Sequence, residues 1–197
     1  MTEQGEQRRR GGTRERIQEI AVHLFAERGY DNTSLREIAE ELGVTKAALY
    51  YHFKTKEDLV NSLIGDMAGK VDAIIAWAEQ QSDGPETRRE CIRRFHAMLY
   101  GSNDAFARDL QRFMQTNQQL FQERIKMGGE MRARFMRLAA MMMPPAAPPA
   151  ARLKGRMAMF ALFAARGMLD AEDTAPDEIG DAALDVALDL ISALDPY

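Results

Sequence analysis

The run Thr33–Phe53, TSLREIAEELGVTKAALYYHF, decides how the rest of the chain is read. Its first half carries Leu35, Ile38, Ala39 and Leu42 at helical spacing. It opens with Thr33-Ser34 and has Glu37 three residues after Ser34, the pattern of a capping box. Gly43 ends that helix after about nine residues, and Thr45 is placed to cap another, from which Leu49 and Phe53 point to one side. Two short helices joined by a tight turn make a helix-turn-helix, a unit whose second helix can enter a DNA major groove. Leu49 and Phe53 supply the docked side. Ala47 and Ala48 keep the helix slim, Lys46 near its start is placed to read base edges, and Tyr50 and Tyr51 offer hydroxyls on rigid arms. His52 and Lys54 sit where phosphates would pass. Taken singly, Tyr50, Tyr51 and His52 read equally well as aromatics at a core edge. Together, behind a glycine turn and between capped helices, they favour nucleic acid.

Just beyond, Thr55 with Asp58 resembles a second capping box and opens a long fourth helix carrying Leu59, Leu63, Met67, Val71 and Ile74. Lys56, at its N-terminus, adds charge to the positive end of the helix dipole, a seat for a backbone phosphate. Upstream, Ile17, Ile20, Ala21, Leu24 and Phe25 form one apolar face of a helix beginning near Thr13 and stopped by Gly29. Downstream the helical patterns are longer and richer in methionine and phenylalanine, one of them running from about Asn117 to Met143 with Gly128-Gly129 as its weak point. They are interrupted by turn chemistry at GSND (101–104), by the proline-rich PPAAPPA (144–150) and by the acidic DAEDT (170–174). The expected architecture is all-α with about nine helices. Residues 1–12 read as a disordered arm, 13–57 as a three-helix DNA-binding domain, and 58–197 as a helical-bundle regulatory and dimerisation domain.

Composition narrows the function classes. A net charge of −4 argues against indiscriminate nucleic-acid binding, but the distribution is uneven. Residues 88–156 carry 14 Lys/Arg against 5 Asp/Glu, whereas 167–197 carry none against 9. Either the two blocks lie against each other and neutralise, or some middle arginines line a site for an anionic ligand. The single cysteine, Cys91, cannot form an intrachain disulfide, and neither a secretory signal nor a membrane span is legible, so a cytoplasmic setting is expected. No Ser/His/Asp set, metal-spaced His/Cys or glycine-rich phosphate loop supports an all-α enzyme, and no cofactor or metal is expected. His23 and His96 read as core-edge residues.

Residues from about Arg14 to Leu63 resemble the N-terminal domain of the TetR/AcrR-like family of bacterial transcriptional regulators. The resemblance rests on LF…G closing the first helix, Thr33-Ser34 opening the second, IAEELGV across the turn, LYYHF in the third and K.K..L at the fourth. It implies that Thr33, Arg36, Thr45, Lys46, Ala47, Tyr50, Tyr51, His52 and Lys56 lie at DNA-contacting positions. Ala47 stands where many members carry glycine or proline, so no base preference transfers there. The resemblance also implies a homodimer held by the last two helices, a palindromic double-stranded operator, and repression relieved by a small-molecule effector of unknown identity. The stripes Ala158–Leu169 and Ala182–Leu194, more apolar than one-sided docking needs, agree with the homodimer. By resemblance the effector enters among the fourth helix and the three after it, with Trp77, Phe95, Met98, Phe106, Phe113, Met114 and Phe121 as candidate walls. Methionine and phenylalanine in a bundle are more often plain core. A DNA-binding dimer with no effector is the alternative.

Overall fold

Gly29 and Gly43 punctuate the N-terminal helices. Both take the left-handed conformation, with φ of 89° and 69°, which a side chain would resist. At Gly43 the chain closes with Gly43 N–H donating to Glu40 O at 3.1 Å and Val44 N–H to Ala39 O at 3.0 Å, so the last carbonyls of the helix are satisfied as it turns. The computed structural model describes residues 3–101, 105–117, 119–121, 129–143, 146–169 and 174–194.

The helices are α1 (Glu3–Arg28), α2 (Leu35–Leu42), α3 (Lys46–His52), α4 (Lys56–Ala78), α5 (Pro85–Tyr100), α6 (Ala105–Thr116), α7 (Glu130–Met141), α8 (Pro149–Met168) and α9 (Pro176–Ser192), and the described residues contain no strand. All-α is therefore the observed class. α1 begins well before Thr13, through residues the sequence assigned to an arm. Glu, Gln and Arg are good helix formers, and extending an existing helix is far cheaper than nucleating one. Proline stands at the start of α5, α8 and α9, where its missing N–H costs nothing. Thus Pro149 of the proline-rich stretch begins a helix, while Pro144 and Pro145 lie outside the described residues. So do residues 102–104 of GSND and 170–173 of DAEDT. The long pattern expected from Asn117 to Met143 is helical at 119–121 and again from Glu130, directly after Gly129, with 122–128 not described.

By packing, the chain forms two units, Met1–Asp66 with Asn103–Gly128 and Met67–Ser102 with Gly129–Tyr197. In the first, Ile17, Leu24 and Phe25 of α1 meet Ile38 of α2, Leu49 of α3 and Leu59 of α4 in one core. α6 joins this unit rather than the second because Phe113 packs its ring 5.0 Å from Phe25 and 5.9 Å from Tyr30, with Phe121 5.1 Å beyond. Each fully buried large side chain of this kind contributes about 1.5–3 kcal/mol of transfer free energy. In the second, α8 and α9 make the most extensive pairing, and α5 packs on both. Its core gathers Val71, Ile75, Ile92, Phe95, Leu138, Leu162, Ala187 and Ile191. α4 gives its first turns to one unit and its last to the other.

Five arginines of the basic middle pair with carboxylates outside the acidic C-terminal block. Arg88 pairs with Asp83 at 2.9 Å, Arg93 with Glu86 at 2.9 Å, Arg94 with Glu90 at 2.9 Å and Arg134 with Asp72 at 2.9 Å, while Arg137 pairs with Glu79. The first three pairs are local in sequence, whereas Arg134 and Arg137 reach back 62 and 58 residues to carboxylates of α4 and its C-terminal end. No helix of the described residues is long and apolar enough to cross a membrane.

Candidate nucleic-acid interface

α3 is only seven residues long and is set by its ends. Thr45 Oγ1 accepts from Ala48 N–H at 3.2 Å, and Phe53 N–H donates to Leu49 O at 3.0 Å. Leu49 is fully buried and Phe53 nearly so, under the Arg14 guanidinium 5.5 Å from its ring. These two hold the helix down. Its other side presents Lys46, Ala47, Ala48 and Tyr51, all exposed, with Tyr50 and His52 half-buried beside them. Lys46 Nζ lies 5.2 Å from the Tyr50 ring, and the Tyr51 and His52 rings meet edge to face at 5.4 Å. The result is a slim polar ridge with one cation near its start. It suits a groove about 12 Å wide whose information is carried by donors, acceptors and methyl groups.

Beside the ridge lies an open depression of about 370 Å³ bordered by Ser34, Glu37, Tyr50, Lys54, Thr55 and Lys56. The N-termini of α2 and α4 both border it. At α2, Glu37 accepts from Ser34 N–H at 2.7 Å while Ser34 Oγ accepts from Glu37 N–H at 3.2 Å, so the capping box read from the sequence is present. The Ser34 hydroxyl also donates to the Glu37 carboxylate at 2.7 Å, and this bond first, then the one from Ser34 N–H, holds the Glu37 carboxyl below its ordinary pKa. At α4, Asp58 accepts from Thr55 N–H at 3.0 Å and from Lys54 N–H at 3.1 Å, and Thr55 Oγ1 accepts from Asp58 N–H at 3.0 Å. Arg36 stands exposed on α2, steered by Glu40 at 2.7 Å.

Two of the nine predicted positions are occupied otherwise. Thr33 is 1% exposed, and its hydroxyl donates to Gly29 O at 2.9 Å, so its side chain closes α1 instead of facing a ligand. Lys56 is half-buried, its Nζ donating to Tyr30 O at 2.5 Å and lying 4.4 Å from the Tyr30 ring. Tyr30 itself escaped the sequence reading. Of the remaining seven, Thr45, Lys46, Ala47, Tyr50, Tyr51 and His52 lie on α3 or at its cap, with Lys54 just beyond, and Arg36 is exposed on α2. The seven candidate wall residues divide between two cores. Trp77, Phe95 and Met98 belong to the second unit, and Phe106, Phe113, Met114 and Phe121 to the first. Among the described residues no group of three or more His, Cys, Asp or Glu is placed to hold a metal ion.

Residues 17–63 match the family model described as bacterial regulatory proteins, tetR family. That segment of the chain is TetR-like. The HTH-type transcriptional regulator AcrR of Shigella flexneri is 47% identical over 51 residues, covering 26% of this chain and 24% of its own length. The HTH-type transcriptional repressor KstR2 of Rhodococcus jostii is 38% identical over 71 residues, 34% of this chain and 35% of its own. The matched segments thus span well under half of these curated relatives. The TetR/AcrR-like fold extends further. A transcriptional regulator of Aquifex aeolicus superposes with a TM-score of 0.67 at 20% identity, covering 91% of this chain and 99% of its own. SmeT in complex with triclosan superposes with a TM-score of 0.67 at 22% identity, covering 90% of each. A regulator of Saccharomonospora viridis in complex with choline superposes at 0.61 and 20% identity, covering 92% and 96%.

Proposed function

We propose that this chain is a DNA-binding transcriptional regulator that reads a near-palindromic operator as a homodimer, represses from it, and is released by a small organic effector. The observation that carries the reading is α3, with Leu49 buried beneath it and Lys46, Ala47, Ala48 and Tyr51 left on its open side. An isolated helix of that length is unstable in water, so its rigid docking with a polar face outward is a costly arrangement that groove reading explains. Lys46 and Lys54 supply charge for phosphates, and the seven remaining positions supply base and backbone contacts.

The homodimer is supported by α8. Leu153, Met157 and Phe160 recur at i, i+4 and i+7 and are exposed, as is Val186 on α9. An exposed apolar stripe on the helices expected to pair with a second copy fits a two-fold interface, and such a dimer would present its reading helices to half-sites about one DNA turn apart. The effector is supported by relatives of the same fold bound to triclosan and to choline. Release requires only that the effector bind one conformation better, and a difference of about 1–3 kcal/mol suffices.

The test is selection of duplexes from a random pool by the full-length protein, followed by footprinting of the enriched sequence. A protected site with two-fold symmetry, lost with Tyr51→Ala at unchanged stability, is expected. Failure to retain any duplex at low salt overturns the reading.

A further inference from the structure

An unassigned ionic cluster lies where α1 meets α6. His23 Nδ1 is 2.8 Å from Asp109 Oδ2, across 86 residues of sequence, and His23 Nε2 is 3.6 Å from Glu27 Oε2 one turn along α1. Glu41, near the end of α2, adds a third carboxylate acting on the ring. α1 and α6 therefore aim carboxylates at one imidazole, with the Glu41 charge on α2 acting from farther off. Along the same helices Glu19 lies one turn before His23 and Arg108 and Arg112 stand near Asp109 in sequence, while Asp66 of α4 accepts from Gln18 Nε2 at 2.6 Å. A neutral ring carries a single N–H. If Nδ1–H donates to Asp109, the Nε2 lone pair faces the Glu27 carboxylate, an unfavourable approach. The imidazolium satisfies both, with Nδ1–H toward Asp109 and Nε2–H toward Glu27.

The seam this cluster closes is also the one packed by the aromatic rings. Phe113 of α6 meets Phe25 at 5.0 Å and Tyr30 at 5.9 Å, and the Tyr30 carbonyl holds Lys56 at the edge of the candidate interface. Whatever fixes α6 on α1 also fixes the corner from which Lys56 is held.

We propose that His23, Asp109 and Glu27 form a proton-operated latch pinning α6 to the helix-turn-helix unit, closed when the imidazole is charged and loosened when it is neutral. The consequence for DNA rests on the regulatory reading above, since operator affinity then varies with pH through α6. The hydrogen bond to Asp109 raises the His23 pKa above its ordinary 6.5, with burial opposing and the Glu27 charge assisting. A raised folded-state pKa means that the latch contributes fully below about pH 6.5 and is lost as pH rises through the folded value.

The test uses the full-length protein, its His23→Gln and Asp109→Asn variants and the double variant. His23 is titrated by proton NMR while amide protection factors are measured across residues 105–116 from pH 5.5 to 8.5. In the unmodified protein protection of α6 should fall about two- to fivefold over the His23 titration, the scale of a partly exposed pair. Either single variant should remove that dependence, the double variant should add nothing further, and Asp109→Asn should lower the His23 pKa. Equal pH dependence in His23→Gln, or a His23 pKa unmoved by Asp109→Asn, overturns the latch. The two readings fail separately. A protein that retains no DNA but shows the titrating protection keeps the latch, whereas one that binds DNA with His23-independent α6 protection loses it and keeps the regulator.

Discussion

Lys56 and Tyr30 are joined twice, by a 2.5 Å hydrogen bond from the ammonium to the main-chain carbonyl and by a 4.4 Å approach of the same ammonium to the ring. The lysine therefore ties the α1–α2 corner to the start of α4 before any ligand is present. Lys56→Ala should lower the unfolding free energy by about 1.5–3 kcal/mol, the range for a hydrogen bond to a charged group. Lys54→Ala, exposed two residues away, should stay within about 0.5 kcal/mol. Urea denaturation separates them, and equal losses would mean that the tie contributes nothing.

α3 offers the sharpest contrast between holding and reading. Leu49→Ala removes a fully buried side chain and should cost about 2–5 kcal/mol, whereas Tyr51, 65% exposed, should be replaceable by alanine at little cost to thermal stability. Only the second change should weaken binding of the selected duplex in a protein that is otherwise fully folded. Lys46→Ala should in addition flatten the salt dependence, by close to one unit of slope if its ammonium meets a phosphate.

Much of this region was legible because its signals are local. Ser34 with Glu37, Thr45 at the start of α3, Thr55 with Asp58 and the turn at Gly43 each act within four residues, and each is found as read. The unread features depend on distant partners. Thr33 looked like a surface residue of a helix start, but its hydroxyl reaches back to the carbonyl of Gly29. No periodicity could announce that Asp109 would meet His23 or that Phe113 would bring α6 onto α1. The seven proposed wall residues share a composition, not a core, because methionine and phenylalanine suit any buried helix face. Arg36 and Glu40, in contrast, sat one turn apart in plain view.

The α2 capping box should show itself in acid. Glu37 has a folded-state pKa below its ordinary 4.5 because Ser34 hydrogen-bonds the ionised form. Its contribution is therefore present above that ordinary value and disappears as pH falls through the lower folded one. Glu37→Gln should destabilise the protein near neutrality and match it in strong acid. A difference independent of pH, measured by thermal melts in matched salt, would contradict this.

Cys91 should be silent in the folded chain. It is buried, and burial pushes its thiol pKa up to about 11, so almost no thiolate is available at neutral pH. A thiol reagent should modify it only as fast as the second unit opens. Rapid stoichiometric labelling in native buffer would show that the α5 face is accessible.

The exposed stripe on α8 predicts an association defect. Leu153→Glu combined with Phe160→Lys should leave helicity intact and give a monomer by sedimentation velocity, where the unaltered chain should sediment as a dimer. A dimer that survives both charges must be built from another surface.

The second unit also carries its own optical gauge. Trp77 is the chain's single tryptophan, and the Arg94 guanidinium sits 4.0 Å from its ring while also pairing with Glu90. Emission from the whole molecule thus arises at one point between α4 and α5, beneath a cation whose removal or rehydration shifts the indole's field. A compound that rearranges these helices can be followed without a label, and Arg94→Gln supplies the spectrum of the uncovered ring.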